Sequence, residues 1–129
     1  MTDTRHIEEQ ENLWRRVVIQ PQQMYRDPDT GAIRPSSAAF KGRELSVVLE
    51  DGRNPQEYIR DKFPNYGLAQ INAKLARDLN QEVKLDPVPD EPMHALVLGD
   101  KPRPIARELS LQSQWIVQPD SILVSQIIR

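Results

Sequence analysis

Glu44-Leu45-Ser46-Val47-Val48-Leu49-Glu50 is the most decisive stretch of this chain. Leu45, Val47 and Leu49 fall on one side of an extended backbone. Glu44, Ser46 and Glu50 fall on the other, and only Val48 is out of phase. Successive side chains of a strand point to opposite faces, so this alternation predicts a half-buried strand, closed by the turn residues Asp51-Gly52. Such a strand needs partners, and the flanking sequence supplies them. Leu13-Trp14-Arg15-Arg16-Val17-Val18-Ile19 puts Leu13, Val17 and Ile19 on one face with Arg15, and Trp14 and Val18 on the other with Arg16. Pro21 ends it, because proline cannot donate to a ladder. His94-Ala95-Leu96-Val97-Leu98-Gly99 is apolar on both faces, the pattern of a central strand. Glu82–Leu85 and Trp115-Ile116-Val117 read as two shorter strands.

Helices fit between these ribbons. Asn54-Pro55-Gln56-Glu57 is a start signal: a capping amide, a proline at the first helical position and a carboxylate in the first turn. Pro64 stops that helix after Tyr58, Ile59 and Phe63. Leu68, Ile71, Leu75 and Leu79 recur at helical spacing and predict a second helix ending near Asn80. Pro104 opens a third, with Ile105, Ala106 and Leu109 inward. The expected fold is therefore α+β, a mostly antiparallel sheet of four to six strands with about three helices packed on it.

The 129 residues suit one domain, placed at 13–118. Residues 1–12 are polar, with Asp3, Glu8, Glu9 and Glu11 outweighing Arg5, and read as a solubilising tail. Residues 119–129 carry Ile122, Leu123, Val124, Ile127 and Ile128. So much aliphatic surface is rarely left in water, so this end is expected either to finish the sheet as a strand or to bind a partner through those five residues. Residues 20–43 read as a long structured connection. Asp27-Pro28-Asp29-Thr30-Gly31 supplies a turn, and Ser36 or Ser37 could cap a single helical turn through Ala38 and Ala39. Asp86-Pro87-Val88-Pro89-Asp90-Glu91-Pro92 reads as a stiff extended link.

Composition removes several classes of function. Net charge is −2, from 17 basic and 19 acidic residues, so no global field draws the chain to nucleic acid or anionic lipid. Only Arg103 and Arg107 hint at nucleic acid, which is an unlikely partner on this reading. The absence of cysteine excludes disulfides, thiolate metal sites and thiol nucleophiles. No apolar run reaches the ~18 residues that suggest a membrane span. The acidic N-terminus is unlike a secretory signal, and the expected compartment is the cytoplasm. The glycines are scattered over turns rather than gathered in a phosphate loop. The histidines are His6 and His94 only, so one chain cannot build a multi-histidine metal site, and no metal is expected. Asp27-x-Asp29-x-Gly31 fails as a calcium loop, because its glycine comes one place early and its twelfth position is Ala38.

Three features carry chemical interest. Arg15 sits on an otherwise apolar strand face and must find partners or snorkel outward, and Arg16 shares the other face with Trp14. Arg34-Pro35-Ser36-Ser37 sets a guanidinium beside two hydroxyls, a set that suits phosphate or carboxylate and equally a capped turn. His94 follows Asp90 and Glu91 and is either a base oriented by a carboxylate or a bonded structural residue.

Leu-Trp-Arg-Arg-Val, Arg-Pro-Ser-Ser-Ala-Ala-Phe, Leu-Ser-Val and His-Ala-Leu-Val-Leu-Gly, spread over residues 13–99, resemble a group of small bacterial proteins of unassigned function. That resemblance implies a bacterial, cytoplasmic protein. A looser similarity is to the ADP-ribosyltransferase-like fold. It implies NAD as cofactor, with Arg15 or Arg16 and the Ser36-Ser37 pair on its phosphate or ribose and His94 completing the set. The chain departs from that pattern: its serine pair precedes the strand at 45–49, and no carboxylate is placed for catalysis. The expected function is therefore a non-catalytic binding or accessory module, without cofactor, acting through a protein partner or a second copy of itself. An NAD-using enzyme or nucleotide binder is the alternative.

Overall fold

A computed structural model of the chain describes residues 5–63 and 65–127, the side chains of 61, 62 and 127 excepted. The strands are β1 (Asn12–Val18), β2 (Met24–Arg26), β3 (Ile33–Pro35), β4 (Glu44–Leu49), β5 (Tyr66–Asn72), β6 (Glu82–Leu85), β7 (His94–Leu98) and β8 (Gln114–Val117). The helices are α1 (Pro55–Lys62), α2 (Ala73–Asp78), α3 (Arg103–Gln112) and α4 (Ser121–Ile127), with 3-10 turns at Pro21–Gln23 and Ser37–Phe40. Six strands form one antiparallel sheet in the order β6-β7-β4-β1-β5-β8, and β2 and β3 form a separate hairpin. The α+β class and the antiparallel sheet are as the sequence predicts, with four helices among the described residues where about three were expected.

The alternation in β4 sets the layers. Leu13, Leu49 and Ile71 are level with one another across β1, β4 and β5, and Leu45 and Val47 lie level with Val97 and Ala95 of β7. These buried side chains form the main core with Phe40 and Ala39 of the second 3-10 turn, Ala73 and Ala76 of α2, Leu109 of α3 and Val124 of α4. The opposite face holds a smaller core, where Trp14, Val48, Leu68 and Val117 meet Tyr58 and Ile59 of α1. The start signal of α1 works as read, since the Asn54 side chain accepts from the Glu57 N–H.

Three expectations change. Leu68 and Ile71 do not belong to a helix; they lie in β5, paired along its length with β1, and only residues 73–78 coil into α2. Leu68, Ile71 and Leu75 suit a helical stripe, yet residues 67–71 are equally a strand buried on both sides, and the free edge of β1 decides between the two periods. Asn72 marks the change of structure, because its side chain caps α2 by accepting from Leu75 N–H. Gly67 also sits in β5, where a Cβ would stand 2.7 Å from the Trp115 ring.

The aliphatic C-terminus is a helix, not a strand. Asp120 Oδ1 accepts from the N–H groups of Ile122 and Leu123, and its carbonyl from Val124 N–H, so a capping carboxylate overrides the β-propensity of the run. Val124 is buried, Leu123 packs against the core, and Ile122 is 66% exposed. The Ile127 side chain and Ile128 lie outside the described residues. Residues 5–11 are no free tail: Ile7 is 1% exposed, Glu9 and Glu11 carbonyls accept from Lys74 and Ala73 N–H, and Arg5 pairs with Glu11. One aliphatic side chain in the main core and two backbone hydrogen bonds to α2 dock the segment. The connection 20–43 is structured, as expected, and is built around the β2-β3 hairpin. Its Asp27–Gly31 turn forms as expected, with Asp27 Oδ1 accepting from Asp29 and Thr30 N–H and Gly31 at φ +74°.

Candidate functional site

The candidate residues do not gather in one place. Arg15 and Arg16 are neighbours on β1 and therefore point to opposite faces. Arg15 is engaged in holding the fold together: Nε donates to the Ala39 carbonyl at 2.9 Å and Nη1 to the Ser46 carbonyl at 2.9 Å. Burial, with the Arg16 charge beside it, lowers its pKa, and two charge-assisted bonds to carbonyls hold the guanidinium in place. Arg16 lies on the other face, its guanidinium carbon 3.9 Å from the centre of the Phe63 ring. His94 is on that same face, since it is level with Val48, which is level with Trp14. Its Nδ1 lies 2.9 Å from the Asp86 carbonyl and 3.3 Å from Asp86 Oδ2. Its carboxylate neighbour is thus Asp86, across the β6-β7 pair, rather than Asp90 or Glu91. The Glu91 carboxylate accepts from Arg53 and from Met93 N–H.

Ser36 and Ser37 lie elsewhere, in a cleft of about 280 Å³ lined by Tyr25, Arg34, Ser36, Ser37, Arg103, Arg107 and Ser110. Three local facts build it. The β2-β3 hairpin sets Tyr25 opposite Arg34, whose guanidinium carbon stands 4.3 Å from the centre of the tyrosine ring. Arg103, Arg107 and Ser110 follow at intervals of four and three along α3, hence on one stripe of the helix. Buried Ser110 donates its hydroxyl to the Pro35 carbonyl and ties α3 to the segment carrying Arg34. The Ser36 hydroxyl is engaged, donating to the Gln22 carbonyl instead of capping the following turn, so Ser37 is the serine whose hydroxyl has no internal acceptor among the described residues.

The electrostatics of this cleft are one-sided. No histidine or carboxylate is among its lining residues. Among the described residues, no carboxylate pairs with Arg34, Arg103 or Arg107. Arg34 Nε is buried without a hydrogen-bond partner among the described residues. Arg103 and Arg107 are like charges one helical turn apart, an arrangement that destabilises a helix slightly until an anion neutralises it. Such an array can bind an anion, and no histidine or carboxylate lines the cleft to activate the Ser37 hydroxyl. The sequence showed Arg34 and the serines as one feature and Arg103 with Arg107 as another. The four-residue spacing of two arginines without an acidic partner was the readable signal; their meeting with Arg34 was not, because Arg34 and Arg103 stand 69 positions apart along the chain.

Two other pockets carry less chemistry. A cleft of about 380 Å³ at one end of the sheet is rich in amides, but Asn12, Gln70, Asn72 and Gln112 are already bonded to Glu50, Trp14, Leu75 and Glu108. A depression of about 10 Å³ joins Arg16, Ser46 and His94 and has no room for a ligand. Among the described residues no group of three or more acidic, histidine or cysteine side chains is placed to hold a metal, and no helix is long and apolar enough to cross a membrane. Comparison with protein-family models, with curated proteins and with solved structures finds no match for this chain.

Proposed function

We propose that the chain is a small non-catalytic binding module, and that the Arg34–Arg103–Arg107 cleft is where it receives an acidic group from its partner. The observation that supports this reading is the convergence of three guanidinium groups, without a carboxylate, on one open cleft. The rival reading, an NAD-using enzyme of the ADP-ribosyltransferase type, asks Arg15 or Arg16, Ser36, Ser37 and His94 to meet on one ligand. Arg15 is bonded to two carbonyls, Arg16 and His94 share the face of the sheet opposite to Arg15, and the serines line a cleft with other arginines. At about 280 Å³ the cleft is also at the lower end of ligand pockets, small for a dinucleotide.

The test uses sulfate as a probe at constant ionic strength. Millimolar sulfate raises the melting temperature of the wild type, because a ligand that binds only the folded state stabilises it. The triple variant Arg34→Gln, Arg103→Gln, Arg107→Gln is expected to lose that rise. Equal shifts in both proteins would mean that sulfate acts through general exclusion from the surface, and the cleft would lose its role.

A further inference from the structure

The geometry points to a phosphate monoester as the acidic group of this cleft, carried on a small molecule with a planar ring, of the nucleoside monophosphate class. This rests on the reading of the cleft as an anion receiver and says which anion fits it. A carboxylate offers two oxygens in one plane and is satisfied by a single guanidinium fork. Here three arginines enter from two separate elements, Arg34 from β3 and Arg103 and Arg107 from α3, with the Ser37 hydroxyl beside them. Donors approaching from several directions suit a tetrahedral group with three terminal oxygens. A monoester presents three, with a charge of about −1.5 to −2 at neutral pH. A diester presents two and a single charge. The orphaned Arg34 Nε is a donor already removed from water and still without an acceptor among the described residues.

Tyr25 supplies the second part of the recognition. Arg34 stacks over one face of its ring, and Tyr25, which lines the cleft, remains 40% exposed as a whole residue. An exposed aromatic surface beside a phosphate site accepts a planar ring by stacking, with no demand on which ring it is. The cleft volume leaves room for a phosphate and a small group, with the rest lying over Tyr25. The site is also built to keep its shape, since the buried Ser110–Pro35 hydrogen bond locks α3 to the segment that carries Arg34.

Calorimetry with the full chain decides the matter, using adenosine monophosphate, adenosine, inorganic phosphate, sulfate and a phosphoserine peptide. Adenosine monophosphate is expected to bind at least tenfold more tightly than adenosine, phosphate or sulfate. Its affinity should fall roughly tenfold from pH 7.5 to pH 5, because the second phosphate pKa is near 6 and the singly charged form loses a bond. Sulfate should show no such fall. Arg107→Gln should weaken binding by about ten- to a hundredfold, the worth of one hydrogen bond between charged groups. Tyr25→Leu should bring adenosine monophosphate down to the level of inorganic phosphate. If sulfate and adenosine monophosphate bind alike and without pH dependence, the cleft remains an anion receiver and the phosphate monoester assignment fails. If the phosphoserine peptide binds more tightly than the nucleotide, the small-molecule part fails. If no anion binds, both this inference and the reading beneath it fall. The far-ultraviolet spectrum and melting temperature of each variant separate a lost site from a lost fold.

Discussion

Replacing Ile7 by alanine separates a docked N-terminal segment from a solvated one. The polar composition of residues 1–12 implies that the change costs nothing, because substitutions in solvated segments stay within about 0.5 kcal/mol. The structure implies otherwise. Ile7 is 1% exposed and belongs to the main core. Ile7→Ala removes three buried carbon groups at about 0.8 kcal/mol each, or roughly 2.5 kcal/mol of transfer free energy. A cavity would add to that, and buried Ile→Ala changes span about 2–5 kcal/mol. The segment lies close to a chain end and can settle into the space, so the lower part of that range applies. We expect about 2–3 kcal/mol. With a urea slope of ~1–3 kcal/mol per molar, the midpoint falls by roughly 0.7–3 M with the slope unchanged. Ile122→Ala serves as the control: Ile122 is equally aliphatic but 66% exposed, and its midpoint should barely move. An Ile7→Ala midpoint within 0.2 M of wild type would refute the packing of residues 5–11 against α2 and the sheet.

Two predictions concern pH. Glu11 accepts two hydrogen bonds from Arg5 and one from Glu8 N–H, and the Arg5 bonds lead in holding its pKa below 4.5 against the opposing effect of burial. A carboxylate lowered on folding contributes stability above its unfolded pKa and loses it as pH falls through the folded value. The acid limb of a urea-midpoint profile below about pH 4.5 should therefore flatten in Glu11→Gln, and an unchanged limb would show that the Arg5 pair contributes nothing. Lys101 runs in the opposite sense. Its ammonium donates to the carbonyls of Gly42, Val97 and Gly99, and burial, aided by the Arg43 charge, pushes its pKa down to about 8. The folded chain then releases this proton before the unfolded chain does, so the contribution of Lys101 to stability rises as pH climbs from about 8 toward the unfolded value. Nuclear magnetic resonance of the lysine side chains should show one midpoint near 8, and a Lys101 midpoint above 10 would contradict its burial.

How much of this was legible depends on how far apart the deciding atoms lie along the chain. The β4 alternation, the Asn54 cap, the Asp27–Gly31 turn and the α3 stripe each depend on residues within a few positions of one another, and each forms as read. Where one stretch satisfies two periods, the sequence is silent. Residues 68–71 serve a helix or a buried strand equally well, and the choice belongs to β1, whose ladder needed a partner. The C-terminal run carried its own signal in Asp120, a cap easily outweighed by the aliphatic residues after it.

The chain by itself therefore determined the class of fold, the strands at 13–18, 44–49 and 94–98 and the exclusion of thiol and multi-histidine chemistry. Only the tertiary structure decided which charges meet. Arg34 on a hairpin and Arg103 and Arg107 on a distant helix became one cleft because Ser110 reaches the Pro35 carbonyl across 75 residues of sequence. Periodicity and caps are local properties that neighbouring residues impose on one another. A convergence of charges exists only after the sheet has chosen its order and the helices have been laid upon it.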